Sequence, residues 1–306
     1  MTSSVLIPIP TSTTPGAIAD ALARPGVAWL QDQPFPLPSE ADLQFFRDEL
    51  PKRLDRKNVS LYPNGTLKGA GAEAAVIERV QRVLSERMQS VTAFLQRCAP
   101  TVAKGMRLGT TSFRPIEEQG RALSAHASNE LIHLDAGAYG ATHGDRILRV
   151  FTNVNPSMPR VWTTKGDIHA VLQRYADRVG LSSPVELTQG PFGKLYSALC
   201  RGLGALTGLA TTAIDTSPYD RAMRRLHNFM KDTPAFQADP AGHEELSFPP
   251  YSSWLVFTDA VSHACIRGQF AFVDTFIIPR ENVAALTAPW SLLERGVSVR
   301  AALPPS

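Results

Sequence analysis

A mainly β fold with flanking helices, built on a double-stranded β-helix of the jelly-roll kind, is what this chain of 306 residues predicts. Two observations carry the expectation. Strand-like apolar segments lie both before and after a block of helical periodicity, and metal-binding residue types occur in both strand groups, at His133 and Asp135 and again at His263. In a jelly roll early and late strands lie side by side, so the fold itself closes the long gap between Asp135 and His263. One domain of this length can bury a large core. No repeat, low-complexity tract or linker marks a second domain within 1–306.

In chain order, residues 1–70 hold nine prolines between short apolar runs such as Val27-Ala28-Trp29-Leu30. They read as an N-terminal arm with one strand and a short helix from about Ser39 to Glu49. From Gly71 onward Val76, Ile77, Val80, Val83, Leu84, Met88, Val91, Phe94, Leu95 and Cys98 recur at three and four. That spacing predicts a long amphipathic helix over 71–100, stopped by Pro100 and packed on the outside of a sheet. Barrel strands are expected within 106–165, at Met106 to Phe113, Leu131 to Asp135, Arg146 to Asn155 and Arg160 to Thr163. Two more are expected within 250–280, at Ser253 to Phe257 and Gln269 to Ile278. Between them 167–245 reads as a helical insertion, with helices at Asp167 to Val179, Phe192 to Leu206 and Ser217 to Asp232. Ser217-Pro218 opens the last as N-cap and first-turn residue.

A net charge of +3 and a pI near 8.8 are too mild for a nucleic-acid groove. The 24 arginines against 7 lysines suit carboxylate or phosphate recognition instead, because a guanidinium offers paired donors to such groups. Cys98, Cys200 and Cys265 are odd in number and form no CxxC, which argues against a disulfide framework or structural zinc and for a reducing compartment. With no signal-like N-terminus and no run of ~18 apolar residues, a cytoplasmic protein is expected.

The chemistry concentrates between Glu130 and Pro156. His133-Leu134-Asp135 and His143-Gly144-Asp145 are both HxD, and on a strand that spacing turns both side chains to one face. His133 follows the apolar Leu131 and Ile132, whereas His143 sits in the turn-like stretch 140–144, so the first pair ranks higher. His plus Asp plus a distant His is the facial triad that leaves coordination positions open on non-haem Fe(II). His263 is the candidate third ligand. HxD alone is a weak signal.

Several segments, in order, resemble one family. They are SFRP at Ser112 to Pro115 followed by Gly120-Arg121, HLDA from His133, and GDRILRVFTNVNP from Gly144 with PRVW at Pro159 to Trp162. SPYDRAMRRLHNFMK from Ser217, FPPYSSWLVFTDAVSHA from Phe248 and GQFAFVDTF from Gly268 complete the set. Together they resemble the Kdo hydroxylases over about Arg107 to Phe276. The resemblance implies an Fe(II)/2-oxoglutarate-dependent dioxygenase that uses O2 to hydroxylate 3-deoxy-D-manno-oct-2-ulosonic acid (Kdo) of the lipopolysaccharide inner core or lipid A precursor at carbon 3. It places the iron ligands on His133, Asp135 and His263, and not on His143. Ser124 to Leu131 and Ala136 to Ala141 depart from the family pattern. They leave open a dioxygenase for another acidic small molecule, or a cupin-like binding protein without catalysis.

Such an enzyme needs a cation for the distal carboxylate of 2-oxoglutarate. Many relatives carry it about ten residues beyond the distal His, where this chain has Val273, Asp274 and Thr275. Arg149 shares a strand face with Phe151 and Asn153 and is the first choice, with Arg146 second and Thr275 adding a hydroxyl. Arg114 and Arg121 are candidates for the sugar carboxylate or nearby phosphates. His126, His169, His227 and His243 read as packed or solvated residues, and Trp162 and Trp254 as core aromatics. A lipid-linked Kdo substrate implies peripheral contact with the inner face of the inner membrane. The apolar stretch Leu195 to Ile214, broken by Arg201, either lies in that interface or packs as an ordinary helix and loop against the barrel.

Overall fold

Strand pairing joins the two ends of the chain. In the computed structural model, which describes residues 4–9, 16–30, 33–120, 122–137, 140–207, 217–283, 285 and 287–297, the strands are β1 (Leu6–Ile9), β2 (Val27–Leu30), β3 (Val59–Leu61), β4 (Leu67–Lys68), β5 (Arg107–Arg114), β6 (Arg146–Asn153), β7 (Arg160–Thr164), β8 (Glu244–Phe248), β9 (Ser253–Phe257), β10 (Ala264–Arg267) and β11 (Ala271–Ile278). Eight of them form one sheet in the order β1-β2-β9-β6-β11-β5-β3-β4, and β10-β7-β8 form the other. The late strand β11 lies between the early strands β5 and β6, antiparallel to both. Early and late strands are therefore neighbours, as a double-stranded β-helix requires.

The two sheets face each other across one apolar layer. Period-two alternation sends Phe151, Trp254, Val256 and Val273 of the large sheet inward against Trp162, Leu246, Phe248 and Cys265 of the small one. Trp254 stacks on Phe248 at 3.9 Å and on Phe151 at 5.1 Å, which makes it a core residue. The outer face of the large sheet is covered by the Ala74–Cys98 helix. Its Val76, Val80, Val83 and Leu84 pack with Phe113 and Phe272. A stripe recurring at three and four explains why this helix sits on the sheet and why Cys98, ahead of Pro100, is its last residue.

Among the described residues three longer helices and the short Pro234–Ala238 separate β7 from β8. Ile168–Val179 is capped by the Asp167 carboxylate at its start and by left-handed Gly180 at its end. Pro191–Thr207 comes next. Pro218–Asp232 opens with a capping box, in which Ser217 and Asp220 satisfy each other's backbone N–H groups. None of the described helices is long and apolar enough to cross a membrane. The three cysteines are unpaired and buried.

Sequence and structure differ in three places. Residues 6–68 contribute four short strands to the large sheet where one was expected, because runs of two to four residues among prolines give no readable alternation. Strands β8 and β10 were not expected either: β8, Glu-Glu-Leu-Ser-Phe, has only two apolar residues on its buried side, and β10 is four residues long. Leu131 to Asp135 is not a regular strand. Its one bridge is an isolated antiparallel pairing of His133 with His263, the residue just before β10 of the smaller sheet.

Candidate active site

That bridge builds the site. The amide of His133 donates to the carbonyl of His263 at 3.0 Å and the amide of His263 donates back at 2.9 Å, so two residues far apart in sequence become direct neighbours. The Asp135 amide donates to Thr258 O at 2.8 Å and fixes the third residue relative to the same loop. The donor atoms of His133, Asp135 and His263 all lie within 4.8 Å of one another, and all three residues are buried.

Both imidazoles are turned the same way. His133 Nδ1 donates to Leu131 O at 2.7 Å and His263 Nδ1 to Val261 O at 3.0 Å, which leaves each Nε2 with a free lone pair. Trp162 stacks over the His263 ring at 5.2 Å. Burial, reinforced by the neighbouring His263, holds His133 well below the usual imidazole range. Burial likewise takes His263 down to about 4. For Asp135 burial acts the other way, but the charge of Arg149, with His263 and His133, more than offsets it and keeps the carboxyl below the usual range. Two neutral imidazoles beside one carboxylate are the donor set of a divalent transition metal. Asp135 Oδ1 lies 3.7 Å from His133 Nε2, while Oδ2 lies 2.9 Å from Arg149 Nη2 without an aligned hydrogen bond, so the buried carboxylate keeps acceptor capacity for a cation. The residues present fit an iron centre.

A cavity of about 240 Å³ opens onto the three donors. Arg114 of β5, Arg149 of β6 and Arg160 of β7 line it from the strands. Glu118 is shared, 3.6 Å from Arg114 and 3.5 Å from Arg160, while Arg149 faces Asp135. Each of the three guanidiniums has a buried Nε–H without an acceptor. Three buried donors of like charge around one cavity are the complement of a carboxylate-bearing ligand. Gly268 makes the Arg160 position workable: its φ is +130°, and a Cβ there would come within 2.8 Å of Arg160 Cγ. From the covering elements the cavity is lined by Lys57, His126, His227 and Lys231. His227 Nδ1 donates to Leu134 O at 2.6 Å, and its ring meets that of His133 edge-on at 5.5 Å. Burial lowers the Lys231 ammonium to about 8.

The expected site residues divide as follows. His133, Asp135 and His263 come together, and His143 is not part of the cluster. Arg149 and Arg114 reach the cavity. Arg146 does not, which corrects its place as second choice for a cosubstrate cation. It is an odd number of residues from Arg149 on β6, points through the other face, and is held by Asp259 at 2.6 Å over the Phe257 ring. Thr275 is opposite Arg149 in register and buried, and is not among the residues lining the cavity. Arg121 lies outside the described residues. The sequence pattern does not single out Arg160, Lys57 or Lys231, and it gives His126 and His227 as packed or solvated, whereas all five line the cavity. For Arg160 a signal existed, since in PRVW it shares a strand face with Trp162. Lys231 follows His227 by four residues, one helical turn along the same face.

The sequence matches the family described as 3-deoxy-D-manno-oct-2-ulosonic acid (Kdo) hydroxylase over residues 9–298. The apo structure of the Kdo hydroxylase KdoO, a non-haem Fe(II) α-ketoglutarate-dependent dioxygenase, superposes with a TM-score of 0.76 at 30% identity, covering 94% of each chain. KdoO with α-ketoglutarate and Fe(III) gives 0.75 at 29% identity over 95% of this chain and 97% of that one. KdoO with cobalt(II) gives 0.76 at 28% identity over 99% and 100%. No curated protein sequence matches. Family match, fold and donor geometry agree, and the chain belongs to the Kdo hydroxylase family.

Proposed function

We propose that this chain is an Fe(II)/2-oxoglutarate-dependent dioxygenase that hydroxylates Kdo, in a lipid-linked precursor, at carbon 3. The observation that carries the reading is the His133, Asp135 and His263 donor set, within 4.8 Å and open to a cavity ringed by arginines with unused donors. His133, Asp135 and His263 hold the iron. When bound, the metal couples decarboxylation of 2-oxoglutarate to succinate and CO2 with transfer of one oxygen atom of O2 into a C–H bond. The chain's own residues bind, orient and exclude water. Arg114 and Arg160 share one carboxylate and so keep net positive charge; with Arg149 they anchor the carboxylates of 2-oxoglutarate. Phe151 and Trp162 form an apolar wall beside them that keeps solvent from the reacting atoms. The structures of KdoO with α-ketoglutarate and with cobalt(II) support assigning these ligands to the site.

A lipid-linked substrate requires contact with a bilayer. On the Pro191–Thr207 helix Phe192, Leu195, Tyr196 and Leu199 form one stripe at three and four and are 90%, 60%, 51% and 59% exposed. Such a stripe suits the interface of an anionic membrane. Residues 208–214 of the apolar stretch lie outside the described residues. The test incubates the purified protein with Fe(II), 2-oxoglutarate and a Kdo-bearing lipid A precursor. One added oxygen by mass, matched by succinate, is expected; succinate without oxygenated sugar would reject Kdo as substrate. Phe192→Glu with Leu199→Glu should abolish sedimentation with anionic vesicles at low salt. If the parent protein does not sediment, the membrane face is wrong.

A further inference from the structure

The cations around the cavity fall into two groups, and the ligands of the proposed reaction account for only one of them so far. The three arginines come from strands β5, β6 and β7, inside the barrel. Lys231 comes from the Pro218–Asp232 helix that covers the opening, with Lys57 approaching from the loop before β3. Lys231 is only 5% exposed. Its ammonium donates to the backbone carbonyl of Ser128, and among the described residues no carboxylate stands within 4.0 Å of it. The charges that act on it are Asp135, which attracts it but already faces Arg149, and Lys57, which repels it. Lys57 itself donates to Ala127 O at 3.1 Å, so the two lysines clasp consecutive carbonyls of the same loop.

A buried ammonium without a counter-charge within ion-pair distance is costly, and a chain retains one mainly where a ligand completes it. An ammonium has three donors, and Ser128 takes one. Kdo supplies the missing partner by its constitution. As a 2-ulosonic acid it carries a carboxylate on carbon 2, and carbon 3 is the next carbon along. Whatever holds that carboxylate therefore decides which carbon faces the metal donors. His227, one turn before Lys231, has Nδ1 committed to Leu134 O and so presents Nε2 as an acceptor for a sugar hydroxyl.

We propose that Lys231, assisted by Lys57, binds the carboxylate of the ulosonic acid and through it positions carbon 3 toward the metal centre, separately from the arginines that take 2-oxoglutarate. The assignment rests on the proposed function, and the two are tested by different readouts. The probes are the methyl glycoside of Kdo and its carboxyl-reduced counterpart, titrated calorimetrically into Co(II)-loaded protein with 2-oxoglutarate present. The parent protein should bind the acid roughly tenfold or more tighter than the alcohol, the size of a charge-assisted hydrogen bond. Lys231→Met should bring the two to within about twofold, and Lys231→Arg should keep most of the preference. Loss of 2-oxoglutarate affinity in Lys231→Met with the acid preference intact would overturn the assignment and move the lysine to the cosubstrate. A parent protein without acid preference would overturn it too, and needs no variant to fold. Hydroxylation is scored apart with Fe(II): its absence rejects the function, while the acid-to-alcohol ratio still decides the lysine.

Discussion

The large sheet carries a buried arginine–aspartate contact on each face. On the outer face Arg87 of the covering helix meets Asp274 of β11 at 2.9 Å, with side-chain exposures of 1% and 0%. Thr111 donates to the other Asp274 oxygen, Arg87 donates to Thr152, and the guanidinium lies over the Phe35 ring at 4.2 Å. On the inner face Arg149 meets Asp135 at the same 2.9 Å, but neither group is closed off. Arg149 Nε has no acceptor, Asp135 Oδ2 has no aligned donor, and both face a cavity. Burial pushes Asp274 up, with Arg87 offsetting part of it, whereas the surrounding cations hold Asp135 down. Arg87 Nη1 is also buried without an acceptor, but that guanidinium lies against the Phe35 and Phe272 rings and does not line the cavity, so its pair serves the fold; the pair whose leftover donors line a cavity is addressed to something outside the chain.

The comparison can be broken most strongly at the open site. Replacing His133, Asp135 or His263 by Ala should lower Co(II) or Fe(II) affinity by more than the ~10–100-fold that loss of an outer partner of a ligand costs, and end succinate formation. Equilibrium metal titration reads this directly. An Ala variant at any of the three that binds metal like the parent would remove that residue from the site.

Next in size is the closed pair. Asp274→Ala strands Arg87 in the core and should cost about 3–5 kcal/mol of stability in denaturant unfolding, with metal affinity at the triad retained. Combining it with Arg87→Met should recover much of the loss, since both charges are then gone. If the double variant is as unstable as the single one, the pair is not the closed unit described.

Smaller again is Arg149→Met. It should weaken 2-oxoglutarate by about 2 kcal/mol, the cost of losing one partner of a buried charge-assisted contact, while changing stability less than Asp274→Ala does. An unchanged 2-oxoglutarate affinity would assign that carboxylate to Arg114 and Arg160 alone. Smallest is the turn behind the site. Asp220 caps its helix with Ser217 and also accepts from the amides of Thr142 and His143 at 2.7 and 3.2 Å. Ser217→Ala should cost about 1 kcal/mol, and His143→Ala should leave metal binding as it was. Loss of metal binding in His143→Ala would place a ligand on the second HxD instead of the first.

Sequence by itself determined the features that depend on local period and on chemical type. The stripe at three and four specified the Ala74–Cys98 helix, Ser217-Pro218 and Asp167 specified helix starts, and alternation along β6 placed Arg149 inward. The residue types of His133, Asp135 and His263, with the family resemblance around them, named the metal site. Tertiary structure decided what local period cannot carry. The residues after Leu131 are not a strand, and the ligands meet through one backbone bridge whose partners are distant in sequence. Arg146 is held away from the cavity by Asp259, a carboxylate in the turn after β9. Arg160, Lys57 and Lys231 entered from elements whose mutual placement no periodicity encodes. Whether a buried charge is closed or open depends on every group packed around it, and those groups are assembled by long-range strand pairing and helix docking, not by the neighbours a residue has along the chain.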